Sequence, residues 1–532
     1  MLFNSYAFIF AFLPIVLIGT FLLGKKSHVA SLWFLSLASL SFYGFWNPRF
    51  VILLLFSIAF NYVMAYWMAQ WARVNKSQYN KYIVTIAIVI NLLLLAYFKY
   101  TNFFIEIAND TFTTNFTLLN IVLPLGISFF TFTQIAFVVD VFKGVVREYS
   151  FVRYLLFVTY FPHLLAGPVL HHSQMMPQFS NPNYSRFTAQ NIGLGFTIFV
   201  MGLAKKIFFA DNFGSIADPV FAAAHDGQIL TFFAAWVGAI AYTLQLYFDF
   251  SGYTDMAIGL SLMFNIRLPL NFNSPYKATS VIDFWRRWHM TLSTFLRDYL
   301  YIPLGGNRKG NFRRQVNILA TMLLGGFWHG AGWTFIVWGL LHGVYLLVNH
   351  GWRSVKVRLN LKAGPVQCLI GCVVTFLAVV FAWVFFRAND LGAAKTIAGA
   401  MIGMNGIALP ETLGVWLANL HPTFISEVMI FTGIFPAKLF LTSNSLIFAL
   451  LSIGLFWIWA LPNTHQLMNR YQVVWEDLHA DTSRTKQERT LTQRRWLWKL
   501  SPMYAIGIGF LFFAIVIAMA NHRASPFLYY QF

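Results

Sequence analysis

The sequence predicts an all-α, polytopic membrane protein, and three observations carry that prediction. Apolar side chains make up 58% of the 532 residues and charged ones only 10%, whereas soluble domains run near about 25% charged. Several apolar runs reach about eighteen residues or more, the length a helix needs to cross roughly 30 Å of hydrocarbon. Between about Tyr247 and Trp338, however, histidines, arginines and carboxylates sit inside or beside the apolar runs. Such groups are costly in lipid and mark functional positions by default.

Taken in order, the first span runs from about Phe8 to Leu23 and ends at Lys25 and Lys26. It lacks the basic start and small-residue cleavage site of a signal peptide, so it reads as a retained span. A second span, about Ala30 to Phe45, stops at Trp46-Asn47-Pro48. A third, about Phe50 to Trp71, leads to Arg73, Lys76 and Lys81, and a fourth covers about Tyr82 to Phe98. Positive-inside bias places the Lys25 and Arg73–Lys81 loops in the cytosol and the amino terminus outside. The polar stretch Thr101–Asn115 then reads as an outside connection.

The run IVLPLGISFFTFTQIAFVVDVF is interrupted by Pro124 and Gly126 and carries Gln134 and Asp140. A broken helix lining a protein interior fits it better than a lipid-facing span. Lys143, Arg147 and Arg153 follow on the cytosolic side. The next stretch, YFPHLLAGPVLHHSQMMPQF, has too many prolines for a straight helix and reads as re-entrant or kinked. Its His163, His171 and His172 are expected in interfacial or structural roles, and no metal site is expected.

Further spans read at about Gly193–Phe209, with Lys205 and Lys206 near its end, at about Ile229–Leu246, and over SGYTDMAIGLSLMFNI. Gly252 and Gly259, with Ser251, Ala257 and Ser261, permit close helix approach. Asp249 and Asp255 need partners there, and the nearby arginines are candidates. From Arg267 to Arg314 the chain carries nine basic residues against Asp283 and Asp298, with tryptophans and leucines at roughly helical spacing. This reads as an amphipathic element at the cytosolic face. An apolar run from Val316 to Trp328 leads into a polar-studded segment through His350. Spans at about Gln367–Phe386, Leu446–Leu461 and Tyr504–Met519 follow, separated by a proline-broken connection and by the polar loop Pro462–Lys499. The carboxyl end returns outside, on the same side of the membrane as the amino terminus.

The net charge of +19 is accounted for by cytosolic loops, and no nucleic-acid module is present. Cys368 and Cys372, four apart in an apolar run, read as packed helix residues. Dinucleotide, P-loop and serine-hydrolase signatures are absent.

Two histidines are candidates for chemistry. His329, in GGFWHGAGW, is flanked by glycines that let backbone and substrate approach closely, and by Trp328 and Trp333, which keep water out. A partly desolvated neutral imidazole is a suitable general base for a hydroxyl attacking an activated acyl group. A hydrogen bond between helices is the alternative. His289, in FWRRWHMTLS, follows Arg286 and Arg287, which suit bidentate contacts to donor phosphates or to lipid headgroups. His342 is a third histidine that can approach the site. Trp328, Trp333, Asp249, Asp255 and Asn273 are expected to line it. A transporter needs some of the same features and stays open at this point.

The combination of FFTF with DVF.G, P…AGP, FDFSGYTDMAIG, NFNSPY, FWRRWHMTLS.FLRDYLYIPLGGNRKG and GFWHGAGWTFIVWG.LHG resembles the membrane-bound O-acyltransferase family. The FLYYQF ending is similar to its bacterial branch for O-acetylation of alginate and related polysaccharides. The resemblance covers nearly the whole chain, read as one membrane-embedded domain over residues 1–532, with core motifs at about 120–350 and C-terminal spans at 365–532. It implies a ring of tilted helices around a thin centre, with a funnel from the cytosol. It also implies transfer from cytosolic acetyl-CoA, as cosubstrate without a permanently bound cofactor, across the bacterial inner membrane to a cell-surface polysaccharide. The family's essential histidine falls on His329 and its second on His289, and the basic Arg267–Arg314 stretch falls where coenzyme A phosphates would bind. The expected partner is a periplasmic or membrane-anchored polysaccharide acetyltransferase. Another donor, or peptidoglycan or teichoic acid as acceptor, is the alternative; a non-enzymatic transporter or scaffold is the second.

Overall fold

A computed structural model describes residues 1–528 except 74–76, 147–149, 166, 362–363, 409–428, 431–442, 476–497 and 522–524. Lys76 and Arg147, the prolines at 410, 422 and 436, most of the polar loop before Lys499, and the last four residues of FLYYQF lie outside the described residues.

The amino-terminal part is a set of helices joined by short polar breaks. A π-helical turn, Ala7–Phe12, runs into α1 (Leu13–Lys26). Ser27 then accepts a hydrogen bond from the Ala30 N–H at 3.3 Å and starts α2 (His28–Gly44), as N-cap serines do. The Trp46-Asn47-Pro48 break precedes α3 (Arg49–Arg73). The next helix, α4 (Asn80–Phe112), runs through most of the stretch expected to be a connection, and ends only at Thr113, in the left-handed region. Thr101 and Asn102 cap no break: the Thr101 hydroxyl bonds the Tyr97 carbonyl one turn back, and helix propagation costs less than a new terminus.

The broken-helix reading of the next run holds. Gly126 sits at φ 72° and α5 (Ile127–Phe142) starts after it, too short to span and buried along most of its length. Its Gln134 joins a buried amide network. The Asn61 and Asn91 side chains exchange hydrogen bonds, Asn61 Nδ2 donates to Gln134 Oε1, and Gln134 Nε2 donates to Ser57 Oγ at 2.9 Å. The network ties α3, α4 and α5 together where lipid would leave each amide unsatisfied. After α6 (Phe151–Thr159), the proline-rich stretch breaks into α7 (Phe161–Leu164) and α8 (His172–Ser180).

The centre is α11 (Phe232–Met263), buried along almost its whole length against α9 (Ala189–Ala204) and α10 (Asp211–His225). Residues 229–246 and 251–266 read as two spans in the sequence; most of both lies in this one helix, because Asp249 between them is paired with Lys206 and no break is needed. The glycine expectation holds. A Cβ on Gly259 would lie 2.5 Å from the Gly195 carbonyl oxygen, and one on Gly252 would lie 2.8 Å from that of Gly202. Small residues on both helices thus set the α9–α11 separation. The partners of the two carboxylates are lysines of the π-helical turn Lys205–Ala210, not arginines. Lys206 Nζ lies 2.8 Å from Asp249 and Lys205 Nζ 2.6 Å from Asp255. The arginines lie on segments that follow the end of α11, whereas the π turn faces the carboxylates directly.

The basic stretch holds the short helices α12 (Val281–Trp285) and α13 (Met290–Leu296), and a π-helical turn Arg297–Tyr301. The hairpin α14 (Gly310–His329) and α15 (Trp333–Arg358) follows, then α16 (Pro365–Arg387), α17 (Leu391–Met401), α18 (Asn444–Ala460), α19 (Thr464–Met468) and α20 (Pro502–Asn521). A two-residue parallel pair, Ile407–Ala408 with Met429–Ile430, interrupts this helical order. Among the described residues six helices are long and apolar enough to cross a membrane, or seven with the bent pair of α18 and the segment after it. They present large apolar side chains outward, among them Phe56, Leu93, Val366, Leu369 and Phe510. This is the pattern of a protein solvated by lipid.

Candidate active site

The site is built on the turn between α14 and α15. Gly326 and Gly339 face each other across the hairpin; a Cβ on Gly326 would clash with the Phe335 carbonyl, and one on Gly339 with that of Met322. This contact brings the end of α14, with His329, under the first turns of α15. A helix leaves its last carbonyls without intrahelical partners. Here α4 supplies them: Tyr100 Oη donates to Phe327 O at 2.9 Å, and Lys99 Nζ donates to Trp328 O at 2.7 Å and His329 O at 2.8 Å. An ammonium at a helix C-terminus also opposes the negative end of the dipole.

The His329 ring is 6% exposed and enclosed by aromatic rings. Its centroid lies 4.9 Å from Trp328, 5.1 Å from Trp338 and 5.2 Å from Phe386. Trp383 stacks on Trp338 at 5.6 Å and meets Trp288 at 5.0 Å. His289 and His342 both lie within electrostatic reach of His329. His342 is one turn along α15 from Trp338, their rings 4.8 Å apart, and its far side meets Trp285 at 5.2 Å.

His289 caps α13 from the left-handed region, at φ 43°. Such a conformation costs a non-glycine residue of order 1–3 kcal/mol and persists only when its surroundings determine it. Asn271 supplies that: its Oδ1 accepts from the Thr291 N–H and hydroxyl and lies 3.1 Å from His289 Nδ1, and its carbonyl accepts the Met290 N–H. The Thr291 hydroxyl in turn accepts the Val169 N–H at 2.9 Å, tying in the proline-rich segment. Phe250 and Phe272 cover the imidazole at 4.9 and 6.3 Å.

Among the described residues, His289 Nε2, both ring nitrogens of His342, and the indole nitrogens of Trp285, Trp328 and Trp338 are buried without a hydrogen-bond partner. Buried polar groups are otherwise almost always paired. Two of these, the indole nitrogens of Trp328 and Trp338, belong to rings that contact His329 directly, and could meet polar atoms of a substrate there.

The remaining candidates separate. Trp333 is 52% exposed and packs on Phe103 at 5.8 Å, on the outer side of the hairpin. Arg287 is held by Asp283 at 3.1 Å, and Arg286, beside it, is exposed. Asn273 accepts from Asn463 Nδ2 at 3.0 Å and donates its N–H to the Arg287 carbonyl at 2.9 Å, neither bond involving His289. Asp249 accepts the Leu528 N–H at 2.8 Å beside Lys206, and Asp255 accepts from Thr464 at 2.6 Å; both are bound into α11's packing. The sequence reading missed Lys99, Asn271, Trp338, Trp383 and Phe386. A lysine inside FKYTN, among apolar neighbours, was the legible signal for the first. Asn271, two residues before Asn273, lies within the same NFNSPY motif.

Residues 48–388 match the model of the membrane-bound O-acyltransferase family. The chain is 44% identical to a peptidoglycan O-acetyltransferase of Helicobacter pylori, over 77% of its own length and 81% of that protein's. It is 36% identical to a probable alginate O-acetylase AlgI of Pseudomonas aeruginosa over the full length of both. A teichoic acid D-alanyltransferase of Streptococcus thermophilus is 27% identical over 65% of this chain and 85% of that one.

Proposed function

Because the chain belongs to the membrane-bound O-acyltransferase family, we propose that it is the acetyl-transferring enzyme of a system that O-acetylates a cell-envelope polysaccharide. Acetyl-CoA in the cytosol supplies the group, and the transfer crosses the inner membrane, with both termini on the periplasmic side. The observation that carries this reading is His329 in its aromatic enclosure of Trp328, Trp338 and Phe386, whose two indole nitrogens have no hydrogen-bond partner among the described residues. In the proposed step an acceptor hydroxyl attacks the thioester carbonyl. A C–O bond forms, the C–S bond breaks, and the hydroxyl proton passes to His329 and then to the departing coenzyme A thiolate. The surrounding N–H groups are suited to stabilise charge on the carbonyl oxygen as it develops. The exposed Arg286 and its neighbours on the basic stretch suit the donor's phosphates. A periplasmic or membrane-anchored acetyltransferase that takes the group onward is the proposed partner.

The final acceptor has two readings. Alginate-like polysaccharide is supported by relatives alignable over the full length of both chains. Peptidoglycan is supported by the 44% identity to the Helicobacter pylori protein. The test is coenzyme A release from labelled acetyl-CoA by purified protein in nanodiscs, with and without the partner, for wild type and His329→Ala. Turnover lost in the variant supports the reading; equal turnover in both overturns the role of His329, and none in either overturns the donor. Label recovered in glycan strands or in exopolysaccharide separates the two acceptors.

A further inference from the structure

Away from the aromatic enclosure, a second group of side chains converges on a single oxygen. Asp140, near the C-terminal end of α5, is buried, and its Oδ2 has three neighbours: His171 Nε2 at 2.6 Å, His172 Nδ1 at 3.2 Å and the Tyr299 hydroxyl at 2.6 Å. A carboxylate oxygen offers about two lone pairs, so it cannot accept from three donors in good geometry. The misfit falls on His172. Its Nδ1 is buried and faces the carboxylate, yet makes no hydrogen bond with proper angles.

From this arrangement we propose that Asp140, His171 and His172 form a binding site for a zinc-class divalent cation. Two imidazoles and a carboxylate are the donor set that suits such an ion. The three ligand atoms all lie within 4.8 Å of one another. A tetrahedral ion with bonds of about 2.0–2.2 Å spaces its ligands about 3.3 Å apart, so the side chains need shift only on the order of one ångström. The surrounding groups are already those that orient metal ligands. The Ser173 backbone N–H donates to His171 Nδ1 at 3.3 Å, which turns Nε2 toward the carboxylate, and the Tyr299 hydroxyl, 2.8 Å from that Nε2, donates to Asp140. His172 is held by the edge of Phe137 at 5.9 Å. His171 is 32% exposed, which gives an ion its entrance.

The cation would pin the end of α5 to the start of α8, and through Tyr299 to the π-helical turn Arg297–Tyr301. From Tyr299 a run of ring contacts leads to the other site: Phe295 at 4.9 Å, Phe132 at 4.4 Å, Trp328 at 4.9 Å, and His329 beyond it. The ion's place is thus structural, at the foot of the wall that encloses His329, and the proposal does not depend on the acyl-transfer reading.

The experiment uses full-length protein purified through a tag free of histidine. After dialysis, bound metal is measured by mass spectrometry and zinc affinity by competition with a chromophoric chelator. One equivalent of zinc, with affinity at least tenfold weaker in His172→Ala and Asp140→Asn, is expected. Zinc K-edge absorption on wild type needs no variant and is expected to show two imidazoles and a carboxylate oxygen. No retained zinc, affinity unchanged in both variants, or a coordination shell without two imidazoles would overturn the site.

Discussion

Lys99 and His329 lie 230 residues apart, and the Lys99 ammonium donates to the His329 backbone carbonyl at 2.8 Å. The contact fixes where α14 stops, and so where the His329 ring begins. It also holds a cation beneath the dipole end of that helix. Replacing Lys99 by Met removes two hydrogen bonds, each worth about 0.5–1.5 kcal/mol, and leaves two part-buried carbonyls unpaired. The expected result is at least a tenfold fall in acetyl turnover with membrane abundance retained, partly restored in Lys99→Arg. Turnover in Lys99→Met within twofold of wild type would show that α14 ends correctly without it.

The three histidines are expected to respond differently to substitution. A general base contributes about 10²–10⁴-fold, so His329→Ala should lose turnover by that factor. His342 contacts rings more than backbone, and its two ring nitrogens have no protein partner. His342→Phe keeps the aromatic packing and removes both nitrogens. If those nitrogens meet the substrate, its KM or kcat changes while thermal stability holds or rises, because a buried unpaired polar group has been removed. Unchanged kinetics would assign His342 to packing alone.

The fold was legible where the pattern was local. The apolar runs marked the membrane-crossing helices, and Gly252 and Gly259 announced the close α9–α11 contact because small residues act through their own size. What sequence alone left open depended on partners far along the chain. Asp249 and Asp255 visibly needed cations, but that Lys205 and Lys206 supply them depends on how α9 folds back along α11. His329 stood out by its glycines, whereas its walls, Trp383 and Phe386, come from a helix some fifty residues on. Trp333 carried the same local signal as Trp328, and only the turn of the hairpin decides that its indole points outward to Phe103.

Asn271 and Asn273 sit two residues apart, and the structure predicts opposite consequences for them. Asn271→Ala strips Oδ1 from the Thr291 N–H and hydroxyl and from His289. Two buried donors are then unpaired, at about 1–3 kcal/mol each, and the left-handed His289 loses its support. Asn273→Ala removes one contact with Asn463. Turnover and thermal midpoint should both fall sharply in the first variant and change little in the second; the reverse order would mean that Asn273, and not Asn271, orients His289.

Asp249 and Lys206 form a buried ion pair at 2.8 Å, with side chains 2% and 8% exposed, and Lys206 also pairs with Asp211 at 2.9 Å. Breaking such a pair from one side strands a charge and costs about 3–5 kcal/mol, whereas replacing both partners by apolar groups is often neutral. Lys206→Met alone should therefore lower the thermal midpoint in detergent markedly. Adding Asp249→Leu should recover part of that loss. The recovery stays incomplete, because Asp249 Oδ2 also receives the Leu528 N–H and Lys206 donates to the Pro526 carbonyl at 3.2 Å. The residual deficit measures how far the segment 525–528 depends on this charge pair for its seat against α11. Strictly additive losses would show that the two groups act independently, with the segment held by Phe527 packing on Tyr253 at 4.6 Å instead.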